Sequence, residues 1–169
     1  MTRNFLTLCV ALLQLTPVFG QAPKELADLK SQVEKSPQTE TDRQQYITSL
    51  AKLREKFAQA DKTADWEAVD AEIRSHPAPK DSNSKALSAL LVGKWDSPRH
   101  EYAFKKGGTW VMLPEEPDAT HGKWRIEGNQ YFDTATVRPP ETTHYTIILL
   151  TKKYFIFADN EVVFYETRE

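Results

Sequence analysis

Only one cysteine, Cys9, occurs in the 169 residues, and it sits inside an N-terminal apolar run. Past that run there is no thiol, which excludes disulfides, a cysteine nucleophile and a thiolate metal site. No strongly basic patch is present: 22 Lys and Arg face 24 Asp and Glu, for a formal net charge of −2. Nucleic acid is therefore not an expected partner. The sequence also has no nucleophile elbow, phosphate loop, zinc-protease helix or dinucleotide fingerprint, and it holds no Asn-x-Ser/Thr sequon. Catalysis by any of those familiar devices is excluded.

The apolar run is too short to span a bilayer, and no stop-transfer segment follows it. Arg3 ahead of Phe5 to Leu15, with Val18-Phe19-Gly20 behind, reads as a secretory signal peptide over residues 1–20, cut before Gln21. The expected destination is outside the cytoplasm, periplasmic or secreted. No membrane span is expected after cleavage.

Residues 21–75 carry helical periodicity. Leu26, Leu29 and Val33 define a first segment ended by Ser36-Pro37. Thr41-x-x-Gln44 resembles a capping box, and Tyr46, Leu50, Leu53, Phe57 and Ala60 then form one apolar stripe. Trp66, Val69 and Ile73 make a third segment, which stops at His76-Pro77-Ala78-Pro79. The second and third segments predict an antiparallel helical hairpin. Residues 76–92 read as a linker followed by a short helix from Ala86 to Val92.

From Gly93 the period becomes strand-like. Gly-x-Trp occurs three times, at Gly93-Lys94-Trp95, Gly108-Thr109-Trp110 and Gly122-Lys123-Trp124. Such spacing suits a β-meander in which each glycine admits a strand start or turn and each tryptophan faces the core. Turn signals at Lys106-Gly107-Gly108, Glu127-Gly128-Asn129 and Asp159-Asn160 divide the stretch into eight short strands. The early strands alternate. The last three, around Ile147 to Leu150, Tyr154 to Phe157 and Val162 to Tyr165, are apolar on both faces and need an outer cover. The helical stripe is the nearest candidate, with a dimer or another protein as the competing cover.

Gly93-Lys94-Trp95 on the first strand, the next-neighbour meander and Arg168 after the last strand resemble the lipocalin pattern. More closely, residues 93–169 are similar to small lipocalin-like domains of exported bacterial envelope proteins, through Ser97-Pro98-Arg99-His100-x-Tyr102, Thr120-His121-Gly122-x-Trp124-Arg125-Ile126-Glu127-Gly128-Asn129-Gln130-Tyr131 and Tyr145 to Leu150. The resemblance implies that Trp95 packs beneath Arg168 as a structural latch. A guanidinium stacked on an indole gains about 0.5–2 kcal/mol. The fold class expected is α+β: an N-terminal helical hairpin, then a small antiparallel up-and-down barrel or strongly bent meander. With so many rings competing for a shallow interior, a filled barrel is favoured over a large calyx.

Candidate ligand or partner contacts are Tyr102, Trp110, Trp124, Tyr131, Arg99, His100 and His121. The cluster Arg99-His100-Glu101 holds the ingredients of acid–base or anion-binding chemistry, but strand alternation sends His100 to the opposite face from Arg99 and Glu101. His76, His100, His121 and His144 lack the local spacing of a metal site, and Glu115, Glu116 and Asp118 read as a solvated acidic loop. No cofactor, no metal and no catalytic residue are expected. The functional expectation is a non-catalytic binding or protein-interaction module, monomeric or weakly dimeric, taking an unknown protein partner or a small apolar ligand. The alternatives are an inhibitor of an exported hydrolase and a carrier of a small apolar ligand.

Overall fold

The computed structural model describes residues 23–33, 39–98, 100–113, 120–136 and 140–168. The proposed signal peptide, Arg99 and the acidic residues Glu115, Glu116 and Asp118 lie outside these residues. Four helices come first: α1 (Lys24–Val33), α2 (Glu40–Gln59), α3 (Thr63–Arg74) and α4 (Ser84–Leu91). Eight strands follow, β1 (Gly93–Asp96), β2 (Glu101–Lys105), β3 (Thr109–Leu113), β4 (His121–Glu127), β5 (Gln130–Ala135), β6 (Glu141–Leu150), β7 (Tyr154–Ala158) and β8 (Val163–Thr167). Each pairs antiparallel with the next, and β8 returns to β1, so the sheet is a closed up-and-down barrel. Closure rests on a narrow seam. Among the described residues, Asp96 opposite Thr167 is the single registered pair between β1 and β8.

The start of α2 differs from the sequence reading. Its capping box is Thr39 with Asp42, not Thr41 with Gln44: Asp42 N–H donates to Thr39 Oγ1 at 3.1 Å and Thr39 N–H donates to Asp42 Oδ2 at 3.0 Å. An aspartate serves as well as a glutamate here because it too can accept the N-cap amide. The helix ends where Asp61 takes a left-handed φ of 53°, letting Lys62 N–H reach back to the Phe57 carbonyl.

The helices cover the last three strands. Ile47, Leu50 and Phe57 of α2, Val69 and Ile73 of α3 and Leu26 of α1 form one buried cluster with the outward side chains Ile148, Leu149 and Ile156. Strand β6 can turn two consecutive residues outward because it carries a bulge between Ile147 and Leu149. Ile147 and Leu150 face the barrel interior while Ile148 and Leu149 face the helices. Arg43 of α2 donates to the carbonyl of Ile148 and to that of His76, both at 2.9 Å. The disturbed ladder is thereby satisfied by the helix that covers it.

Residues 76–83, read in the sequence as a linker, are strapped to the barrel. Ala78 N–H donates to the Ile147 carbonyl at 2.9 Å, and Asn129 Nδ2 donates to the Ala78 carbonyl at 2.7 Å. Gly128 N–H donates to Ser84 Oγ at 2.7 Å. These bonds bring α4 against one end of the barrel, where Leu91 is buried with Trp95, and Leu87 and Leu90 pack on the same core. That end is closed.

Two glycines explain the Gly-x-Trp repeats physically. A β-carbon on Gly122 would lie inside contact distance of the Thr134 carbonyl oxygen and 2.8 Å from the Trp110 indole, so the third glycine makes room for the second tryptophan. Gly93 has φ of 137°, and a β-carbon there would meet the Arg168 guanidinium at 2.5 Å.

Candidate ligand chamber

Inward-facing rings fill the half of the barrel next to α4. Trp95, Phe104, Trp124 and Phe155 are all buried there. Phe155 meets the edge of Trp95 with centroids 5.9 Å apart, and Phe104 packs on Trp124 at 6.1 Å. Trp124 belongs wholly to this packing, its indole N–H held by the Thr109 carbonyl at 3.0 Å. Arg168 seals the floor. Its guanidinium lies 4.1 Å from the Trp95 ring centroid and donates to the carbonyls of Val92 at 2.9 Å, Lys152 at 2.7 Å and Leu90.

The opposite end is not filled. A cavity of about 460 Å³ opens there, between Ser97, Pro98 and His100, the end of β7 and the start of β8. The expectation of a filled barrel therefore holds for the α4 end alone. The β1–β8 seam contributes to the opening because β1 stops at Asp96 while β8 continues upward to Val163.

Aromatic surface dominates the chamber wall. Tyr145 packs against Phe157 at 5.1 Å and Phe164 at 5.3 Å, and Tyr102 meets the edge of Trp110 at 5.8 Å. Tyr131 is buried beneath, in contact with Phe155 and Phe157 at 5.3 and 5.4 Å. Set into this apolar surface are two carboxylates. Asp133 accepts the Trp110 indole N–H at 2.6 Å. Glu166 is 7% exposed, and its Oε2 is buried without a hydrogen-bond partner among the described residues.

Strand parity places both acids inside. On β8 Val163 and Tyr165 join the helix-facing cluster, so Phe164 and Glu166 point into the barrel. Burial pushes the Glu166 carboxyl up to about 8, with the negative charge of Asp133 adding to the effect. Burial likewise raises the Asp133 carboxyl, while the Trp110 hydrogen bond opposes the rise. The hydroxyls of Tyr102, Tyr131 and Tyr145 are all raised, first by burial and then by Asp133 or Glu166 nearby. None of these phenols ionises near neutral pH.

Of the residues singled out in the sequence, Tyr102, Trp110, Tyr131 and His100 come together at the chamber. Trp124 lies in the packed floor. His121 is exposed at the start of β4, with the opposite parity to the inward Gly122, Trp124 and Ile126. Glu101 stands 3.7 Å from Lys94 and does not join His100 at the cavity. Among the described residues no group of three His, Cys, Asp or Glu side chains is placed to hold a metal ion. Asp133, Tyr145 and Glu166 were missed by sequence reading. Counting back by twos from Arg168 gives Glu166 and Phe164 on its face, a signal available in the sequence.

The helical side reaches the chamber rim through Arg54 of α2. Its guanidinium lies between the rings of Trp66 at 4.9 Å and Tyr165 at 4.6 Å, and its Nε is 3.3 Å from Asp70 Oδ1. Tyr165 donates to the same oxygen at 2.5 Å. The rim arginine is thus fixed by neighbours on α3 and β8.

These features define a closed eight-stranded antiparallel barrel with one sealed end and one open aromatic chamber. No protein-family model, no curated protein and no solved structure matches the chain.

Proposed function

We propose that this protein is an exported, non-catalytic lipocalin-like binding protein that holds one small organic molecule in the open end of its barrel. The observation that carries this reading is the asymmetry of the interior: rings pack solidly near α4, while about 460 Å³ lined by rings and a few polar groups stays open at the far end. Sites for small molecules have that size and that mixture of apolar wall and sparse polar anchors. The chamber's aromatic surface supplies binding energy for a flat apolar body at little cost in side-chain entropy, because the rings already hold one another. Export is supported by the charge and apolar pattern of residues 1–20.

Native mass spectrometry of protein purified gently from its own source tests the proposal. An adduct of a few hundred daltons, displaced by an added aromatic probe, is the expected result. A bare chain that takes up no such probe contradicts it. A second polypeptide in place of a small adduct favours the interaction or inhibitor reading instead.

A further inference from the structure

We propose that the ligand is an organic cation, an amine on a flat apolar body, whose positive charge is received by Glu166 with Asp133 close by. This rests on the chamber being a small-molecule site. Its own support is chemical. A buried carboxylate oxygen without a donor costs about 1–3 kcal/mol when no partner is supplied. Glu166 Oε2 is such an atom, in a residue 7% exposed, on a wall of the cavity. Once Glu166 ionises both of its oxygens are acceptors, so the missing partner is then a hydrogen-bond donor, and an ammonium supplies donor and positive charge together.

The surrounding rings fit the same ligand. The faces of Tyr and Trp carry negative electrostatic potential, and a cation within about 6 Å of a ring centroid is attracted to it. Tyr102, Trp110 and Tyr145 stand around the chamber beside the two acids. An anionic ligand would be repelled once Asp133 or Glu166 ionises, and a neutral hydrocarbon would leave Oε2 without a partner.

Binding of this kind moves a proton. The titratable groups facing Glu166 are Asp133 and Tyr131 on β5, Tyr102 on β2 and Tyr145 on β6, with His100 and Arg54 at the rim. Arg168, two residues along the chain and just past β8, is already engaged with Trp95 and three carbonyls. Burial holds the Glu166 proton in the empty barrel up to about pH 8. An arriving ammonium displaces that proton to solvent, and carboxylate and cation are left paired. Uptake at pH 7 therefore releases close to one proton, and affinity for the cation rises with pH up to about 8.

Calorimetry with tryptamine, neutral 3-ethylindole and anionic indole-3-propionate tests the inference, in buffers of different ionisation enthalpy at pH 6 and pH 8.5. Tryptamine stays protonated across that range, as an alkylammonium does. The expected result at pH 8.5 is binding of tryptamine about tenfold or more tighter than 3-ethylindole, the scale of one well-placed charge pair. Proton release of about one per tryptamine is expected at pH 7, and the preference shrinks at pH 6. Glu166→Gln is expected to remove both the preference for tryptamine over 3-ethylindole and the proton release, and Asp133→Asn to weaken the preference. Equal binding of tryptamine and 3-ethylindole at pH 8.5, or a preference that survives Glu166→Gln, overturns the cation assignment and leaves the small-molecule reading standing. Failure of all three probes to bind overturns both.

Discussion

The guanidinium of Arg168 lies 4.1 Å from the centre of the Trp95 indole and reaches past it to the Val92 carbonyl at 2.9 Å. One side chain just past the last strand thus covers the first strand and the end of α4. Among the described residues β1 and β8 share a single registered pair, and this contact adds to the closure there.

Removing it should loosen the seam. Arg168→Ala is expected to lower the unfolding free energy by about 2–4 kcal/mol, through the lost stacking and the carbonyls left without donors. Arg168→Lys should recover only part, because a single ammonium cannot both stack on the indole and serve three carbonyls. Gly93→Ala should also destabilise, since it sets a side chain at φ of 137° against the same guanidinium. Urea titration of the three variants checks these orders.

Gly122→Ala tests the origin of the Gly-x-Trp repeat. Its methyl collides with the Trp110 indole and the Thr134 carbonyl, so a loss of about 1–3 kcal/mol is expected from overpacking. The near-ultraviolet circular dichroism of the indoles should change with it. An unchanged spectrum and midpoint would show that the strands part freely at this point.

Stability should depend on pH through Glu166. Its folded-state carboxyl is raised from the ordinary 4.5 to about 8, so the native state binds the proton more tightly than the unfolded chain. The stabilising contribution is complete below pH 4.5 and is lost as pH climbs to about 8, at up to about 1.4 kcal/mol per unit. Asp133 and Asp70, also raised by burial, act in the same sense at lower pH. Comparing urea midpoints of the wild type and Glu166→Gln from pH 5 to 9 isolates the effect. The variant should gain relative stability as pH rises, and parallel curves would contradict the assignment.

The helices and barrel should unfold together. Arg43 bonds the bulge carbonyl of Ile148, and Ile47 and Leu50 are fully buried against the cluster that includes Ile156. Arg43→Ala is expected to cost about 2–3 kcal/mol and Leu50→Ala about 2–5 kcal/mol. Far-ultraviolet circular dichroism and tryptophan fluorescence should report the same midpoint in each variant. Separate midpoints would mean two independent units.

The barrel was legible because its signals are local. Gly107, Gly108 and Gly128 take positive φ at the turns where the sequence placed hairpins, and β4 alternates strictly, with Gly122, Trp124 and Ile126 inward. The apolar stripes of α2 and α3 were equally plain, and so was the need of β6 to β8 for a cover. The α2 cap was misplaced by two residues because Thr39 and Thr41 offer the same chemistry and only the observed bonds separate them. The chamber was harder to read. Asp133 and Glu166 look like surface acids in one dimension, and their burial follows only when strand parity, closure and the ring packing are known together. Filling was overestimated because ring count alone does not say at which end of a barrel the rings gather.

The most direct test of the small-molecule site uses the protein's four tryptophans. Each indole N–H gives its own signal in a nitrogen–proton correlation spectrum, and they sit in different places: Trp66 on α3, Trp95 bonded to the Leu91 carbonyl, Trp124 bonded to the Thr109 carbonyl and Trp110 bonded to Asp133 on the chamber wall. Titration with tryptamine at pH 8.5 should move the Trp110 signal to saturation while Trp66, Trp95 and Trp124 stay within a small fraction of that shift. A saturating shift at Trp66 alone, or four signals that move with neither tryptamine nor 3-ethylindole, would contradict a ligand in the barrel.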